Sequence, residues 1–278
     1  MASRIFAPGL LDGQVILVTG GGTGLGRATA QELTALGARV VVVGRRAEPL
    51  EETVSLCGES CESDVCDIRE EDQVHAVVDR VLERHGRIDT LVNNAGGQYM
   101  TPAEDIPLKG FETVVRLNLV GTWLMTHAVA TKSMIPGGGG KIISVTLSPH
   151  HGLPGMAHSS AARAAVENLT RVLSIEWARH QIRLTALAAG HFETEAIQKY
   201  PKPVRDNVAR TVPLQRLGQP EEHAWLVAYL ASPAGDYYTG AVITLDGARD
   251  NWFGPWPPPG LTDETTGKPV AEERRPKP

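Results

Sequence analysis

Cysteine is scarce in this sequence. Only Cys57, Cys61 and Cys66 occur in 278 residues. Their x3 then x4 spacing fits no zinc pattern, and His75 is the lone imidazole near them. No metal site is expected; free thiols in a reducing compartment are the reading. There is no apolar run of about 18 residues, so no membrane span is expected. The stretch Met1 to Gly9 lacks the long apolar core of a signal peptide, and the closing Arg-Pro-Lys-Pro is not a peroxisomal tripeptide. A cytoplasmic setting is expected. Positive charge is not in excess either: 27 Lys and Arg face 32 Asp and Glu, net −5. That leaves no broad basic field for nucleic acid. Internal repeats are absent as well.

The composition, 42% hydrophobic and 21% charged, suits one sizeable α/β domain. Strand-like runs at Val15–Thr19, Arg39–Val43, Ser63–Cys66, Thr90–Asn93, Lys141–Val145, Ile182–Ala188 and Val242–Leu245 alternate with helical patterns. Examples of the latter are Gly26–Leu36, Gln73–Glu83, Phe111–Lys132, Ser159–Arg179 and Pro220–Ala231. This order predicts right-handed βαβ units: a Rossmann-type, doubly wound parallel sheet with helices on both faces. Residues 1–250 are read as one domain, and 251–278 as a Trp- and Pro-rich extension.

The most informative stretch is Thr19-Gly20-Gly21-Gly22-Thr23-Gly24-Leu25-Gly26, directly after the apolar run Val15–Val18. A buried strand, a glycine turn and a helix start make a seat for a pyrophosphate. Gly20, Gly24 and Gly26 let the backbone come close, and amides at the helix start face the negative charge. At the end of the second strand, Val43-Gly44-Arg45-Arg46 offers no acid for a ribose hydroxyl and two arginines for a 2′-phosphate. The expected cofactor is therefore NADPH (NADP+).

These residues resemble the short-chain dehydrogenase/reductase family over nearly the whole chain. The resemblance is carried by Thr19–Gly26, Asp67-Ile68, Asn93-Asn94-Ala95-Gly96, Asn118 in Asn-Leu-Val-Gly, Gly190 with Thr194, and Thr239-Gly240 with Asp246-Gly247. It implies that Thr23 and Leu25 belong to the phosphate turn and that Asp67 and Ile68 meet the adenine. Asn94 and Gly96 would line the adenosine side, Gly190 and Thr194 would hold the nicotinamide end, and Asn118 would order a water chain. It also implies dimers or tetramers through the helices Phe111–Lys132 and Ser159–Arg179. A homotetramer is expected, with Trp252, Phe253 or Trp256 buried at an interface or over the substrate entrance.

The chain departs from the family at its catalytic set, a serine followed by Tyr-x3-Lys. Aligned on Ala164-Ala165-Val166-Glu167, Ser159 takes the tyrosine position and Arg163 the lysine position. There is no tyrosine between Tyr99 and Tyr200 and no lysine between Lys141 and Lys199. A serine hydroxyl is too weak an acid to replace a phenol, and arginine does not deprotonate. Ordinary ketone reduction is disfavoured. The branch that dispenses with this tyrosine is the enoyl-CoA reductases. The chain looks most like the peroxisomal trans-2-enoyl-CoA reductases, with the 2,4-dienoyl-CoA reductases as cousins. That resemblance rests on Ala7-Pro8-Gly9-Leu10-Leu11, Gly96-Gly97-Gln98-Tyr99, Pro102-Ala103-Glu104, and His158-Ser159 with Ala162-Arg163-Ala164.

It implies an oxidoreductase of lipid metabolism that reduces the C=C bond of an acyl thioester or a similar α,β-unsaturated carbonyl. Such a site needs hydrogen-bond donors for an enolate oxygen. The candidates are Asn118, Ser148 and Ser159. Arg163 would hold the ribose, and His150, His151 and His158 are possible proton relays. Two alternatives stay open: an alcohol, aldehyde or ketone oxidoreductase (terpenoid substrates included) with an atypical proton relay, and a catalytically silent cofactor-binding protein.

Overall fold

The computed structural model describes residues 2–252 except 149, 196, 198, 199 and 201, and the side chains of 203, 204 and 206 are likewise left out. Phe253, Trp256 and the rest of the extension lie outside the described residues.

Seven strands form one parallel sheet. They are β1 (Val15–Thr19), β2 (Arg39–Gly44), β3 (Cys61–Val65), β4 (Thr90–Asn93), β5 (Gly140–Leu147), β6 (Ile182–Ala189) and β7 (Ala241–Leu245). Their order is β3-β2-β1-β4-β5-β6-β7. The helices are α1 (Gly24–Ala35), α2 (Ala47–Cys57), α3 (Glu71–His85), α4 (Leu108–Val115), α5 (Gly121–Val129), α6 (Ile135–Gly137), α7 (Ala157–Glu176), α8 (Lys202–Asn207) and α9 (Pro220–Ala231).

The central strands are apolar on both faces, as a sheet covered on both sides requires. Ile16, Val18, Val40 and Val42 point to one side and pack with Leu33 and Leu36 of the α1 region and Val227 of α9. Val15, Leu17, Val41 and Val43 point to the other, against Val74 and Val78 of α3, Met125 of α5 and Leu173 of α7. Fully burying one such side chain contributes about 1.5–3 kcal/mol, and this double core is what fixes the register.

The expected architecture holds, and the differences are at the edges. β3 begins at Cys61, two residues before the apolar pattern suggests, because this edge strand carries charge that α3 neutralises. Arg80 Nε lies 2.9 Å from Asp64 Oδ1, and Arg84 Nη2 lies 2.5 Å from Asp64 Oδ2. The helix expected over Phe111–Lys132 runs from Leu108 to Gly137 and contains two π-helical turns, Arg116–Val120 and Ala130–Met134. Such turns recur at functional sites, and the first one carries Asn118. α9 starts on a reciprocal cap: the Gln219 amide donates to Glu222 Oε2 at 2.8 Å, with Pro220 in the first turn. No described helix is long and apolar enough to cross a membrane, and the described residues hold no metal-ligand cluster.

Candidate active site

The carboxyl ends of the central strands open into a cleft of about 830 Å³. It lies where the strand order reverses, between β1 and β4, the point at which a parallel sheet leaves room for a ligand.

One wall is backbone. Gly20 sits at φ +67°, and a Cβ there would meet Ala95 Cα at 2.8 Å. A Cβ at Gly26 would lie 2.3 Å from the Gly20 carbonyl oxygen. Close approach, not flexibility, requires these glycines. Asn94 locks the turn: its Nδ2 donates to the carbonyls of Thr19 at 3.0 Å and Gly20 at 3.2 Å. Thr19 Oγ1 accepts the amides of Asn94 and Ala95, each at 3.0 Å. Thr23 stands at the N-cap of α1, and the next amide, Gly24 N–H, donates to the Glu195 carboxylate at 3.1 Å. A carboxylate on that amide shows that the turn seats an anion, as a helix start does.

Arg45 and Arg46, both exposed, continue this wall. Asp67 and Ile68 close its far end. Arg69 grips Asp67, Nε to Oδ1 at 2.9 Å and Nη2 to Oδ2 at 2.5 Å. That contact holds the Asp67 carboxyl below the usual range, overcoming the opposing effect of burial. The glycine cradle and anion seat fit an adenine dinucleotide. Cys66 also lines the cleft, and burial pushes its thiol up to about 11, so it stays protonated.

The other wall is side chain. Gly190 and Thr194 line it after β6, and Arg163 enters from α7. Arg163 Nη1 donates to the Val145 carbonyl at 2.6 Å. Burial lowers its pKa to about 10, so it remains a cation at neutral pH. It packs against Gly96, where a Cβ would lie 1.9 Å from Arg163 Nη2. Ser159 is fully buried, and its hydroxyl donates to Gln98 Oε1 at 3.0 Å. Gln98 in turn donates through Nε2 to the Tyr200 hydroxyl at 3.2 Å, and both line the cleft.

Asn118 lies behind the cleft wall, fully buried. Its Nδ2 donates to the Gly97 carbonyl at 2.8 Å, and its Oδ1 accepts the Gly97 amide at 3.1 Å. The side chain thus pins the Asn94–Gln98 turn to the first π-helical turn. Ser148 is placed elsewhere than expected. It is buried, does not line the cleft, and donates its hydroxyl to Asp246, which also receives the Asp250 amide at 2.8 Å. Its hydroxyl is committed to this acidic partner.

The loop histidines form a separate cluster. His150 bridges two carboxylates, with Nδ1 2.5 Å from Asp250 Oδ2 and Nε2 3.1 Å from Glu167 Oε1. Glu167 is buried and also accepts the Thr146 hydroxyl at 2.8 Å. Two acceptors on one ring suit an imidazolium. Burial opposes that charge, but the Asp250 hydrogen bond and the Glu167 charge outweigh it, and the His150 pKa is raised. His151 Nδ1 lies 3.3 Å from Asp250 Oδ1. His158 is buried on α7; its Nδ1 accepts the Ser159 amide at 2.8 Å.

The expected residues Gly20, Thr23, Gly24, Leu25, Arg45, Arg46, Asp67, Ile68, Asn94, Gly96, Arg163, Gly190 and Thr194 meet on this one cleft, with Gly26 directly beneath it. Gln98, Glu195 and Tyr200 were not among them. Gln98 directly follows the recognisable Asn-Asn-Ala-Gly-Gly turn; the other two carry no motif.

Comparison with known proteins agrees with this geometry. A family model described as enoyl-(acyl carrier protein) reductase matches residues 20–248. A probable 2,4-dienoyl-CoA reductase of Bacillus subtilis is 34% identical over 89% of this chain and 100% of its own length. A peroxisomal 2,4-dienoyl-CoA reductase of Rattus norvegicus is 34% identical over 88% of this chain and 86% of its own length. A solved citronellol catabolism dehydrogenase of Pseudomonas aeruginosa superimposes with a TM-score of 0.80 and 44% identity, covering 88% of this chain and 98% of its own. With the sheet order, the glycine cradle and the post-β4 turn all in their places, these matches make the chain a member of the short-chain dehydrogenase/reductase family, an oxidoreductase of the kind that works with NAD(P)H.

Proposed function

We propose that the protein is an NADPH-dependent reductase of a C=C bond conjugated to a carbonyl, with an enoyl-CoA or a similar acyl thioester as substrate. The observation that carries this reading is the residue at the family's acid position. Ser159 stands there without a phenol, buried, and bonded to a neutral amide. Ketone reduction needs an acid strong enough to protonate an alkoxide. Conjugate reduction needs donors for an enolate oxygen, a task within reach of hydroxyl and amide groups.

When bound, the nicotinamide nucleotide supplies the hydride. The chain does the rest. The glycine turn and Gly24 N–H take the pyrophosphate, and Arg45 and Arg46 take a 2′-phosphate. Arg163, charged and fixed on the Val145 carbonyl, holds the ribose. The 2,4-dienoyl-CoA reductases among the relatives support the thioester.

A second reading, an oxidoreductase of terpenoid alcohols or aldehydes, is favoured by the 44% identical citronellol catabolism dehydrogenase. One panel separates the two: 2-enoyl-CoAs, 2,4-dienoyl-CoAs, conjugated enals and saturated terpenoid alcohols, followed at the nicotinamide absorbance in both directions. Turnover of conjugated substrates alone is expected. Turnover of the saturated alcohols alone would replace the first reading with the second.

We also propose a homotetramer. Val172 and Ile175 on α7 and Leu108, Phe111 and Trp123 on the α4–α5 helix leave apolar surface exposed on one chain. Light scattering is expected to give four chains' mass; a monomer would end this proposal.

A further inference from the structure

The buried Ser159 hydroxyl cannot reach a substrate, but it does not end the line of hydrogen bonds. An amide side chain has one accepting and one donating end. Ser159 occupies the accepting end of Gln98 at 3.0 Å, so the donating end faces Tyr200, Nε2 to hydroxyl oxygen at 3.2 Å. A phenol oxygen that receives an N–H keeps its own proton to give elsewhere. Tyr200 borders the same cleft as Arg163, Gly190 and Thr194. The other phenol on the cleft wall, Tyr99, turns its hydroxyl toward Gly110, where a Cβ would lie 2.2 Å from it, and sets its ring on His158. His191, also on the wall, is held neutral by burial, its pKa lowered to about 4.

We propose that Tyr200 is the hydrogen-bond donor to the substrate's carbonyl oxygen, and that Gln98 and Ser159 are the positioning residues that aim it. The phenol missing from α7 is thereby supplied from the loop after β6, across the cleft. A donor at that oxygen draws electron density along the conjugated system and leaves the β-carbon electron-poor. This proposal rests on the conjugated-carbonyl reading above.

The test uses the full chain saturated with NADP+, which has no hydride to give, and two probes, a 2,4-dienoyl-CoA and a conjugated enal. A conjugated carbonyl absorbs at longer wavelength when its oxygen is polarised, so ultraviolet difference spectra report the donor directly. Wild type is expected to bind at least one probe with a red shift. Tyr200→Phe, which removes only the hydroxyl, should bind it without the shift. Its kcat should fall roughly 100-fold, the size of a lost oxyanion donor, with nucleotide affinity unchanged. Gln98→Ala and Ser159→Ala should shrink the shift and reduce kcat by roughly tenfold, as mispositioning does.

A Tyr200→Phe protein that keeps the shift and the rate overturns the assignment of Tyr200 while leaving the substrate class intact. The same variant losing nucleotide affinity together with the shift also overturns it, since the hydroxyl then serves the fold. Wild type binding neither probe overturns the functional reading and this proposal together.

Discussion

Around the β1–α1 turn the cleft is made of backbone. Glycine Cα atoms, amides and carbonyls set its shape, and Asn94, with three hydrogen bonds, and Ala95, with one, clamp them. Around α7 and the loop after β6 the cleft is made of side chains: Arg163, Gln98, Tyr200 and His191. The first wall tolerates almost no change, because a single Cβ collides with main chain. The second is set by side chains, whose chemistry can change without a collision of main chain. A fold can therefore keep its nucleotide while changing what it does to the second substrate.

Where the two walls touch, the comparison can be broken. Gly96 belongs to the first and abuts Arg163 and Asn118 of the second, its Cβ position 1.9 Å from Arg163 Nη2 and 2.8 Å from Asn118 Oδ1. Gly96→Ala should therefore cost both functions at once, with kcat/KM falling by about 100-fold or more, as misplacement of a positioned group does. Steady-state kinetics with nucleotide titration checks this; a loss confined to one substrate would show that the walls are independent.

Next in size is Arg45→Asp, which acts on the first wall alone. NADPH should bind roughly tenfold to a hundredfold more weakly and NADH nearly as before, since a charge-assisted phosphate contact becomes a repulsion. Equal losses in fluorescence titrations of the two nucleotides would remove the NADPH preference.

A smaller and opposite effect is expected at Glu195. Its carboxylate sits on Gly24 N–H, where a phosphate belongs. Glu195→Gln should tighten nucleotide binding about two- to fivefold, matching about 0.3–1 kcal/mol for charge at an exposed helix start. Weaker binding, measured calorimetrically, would mean that the carboxylate supports the turn instead of competing for it.

The smallest effect concerns the separate cluster Glu167–His150–Asp250. His150 has a raised folded-state pKa, so its contribution is complete below the unfolded value of about 6.5 and is lost as pH rises through the folded one. Asp250 is lowered, against the effect of burial, by its hydrogen bond from His150; its share is lost as pH falls through its folded value. His150→Ala should cost less than about 1 kcal/mol, as for a screened pair. The gap in thermal midpoint from wild type should be widest near pH 5–6 and close under alkaline conditions. A gap independent of pH would refute a charge-based contribution from His150.

The fold was legible because its central strands are apolar on both faces and end in glycine or asparagine turns. The nucleotide wall was legible for the same reason: backbone close contacts demand one residue type, and glycine spacing records them. The edge strand β3 was displaced because its burial alternates with charge. The π-helical turns left no periodic trace. Ser148 was a candidate donor for the enolate oxygen, yet its hydroxyl is held by Asp246, 98 residues later. Gln98 and Tyr200 are likewise partners across 102 residues, a pairing that only the folded sheet creates.

One strip of chain after β6 carries Thr194, Glu195 and Tyr200 within a few residues of each other. Its first part rests on the nucleotide turn through Gly24, and its last rests on Gln98. In kinetic language this is a clutch. Nucleotide entry is expected to displace Glu195 from Gly24 N–H, and the two ligands to load in compulsory order, nucleotide first. A substrate analogue would then inhibit uncompetitively against the nucleotide.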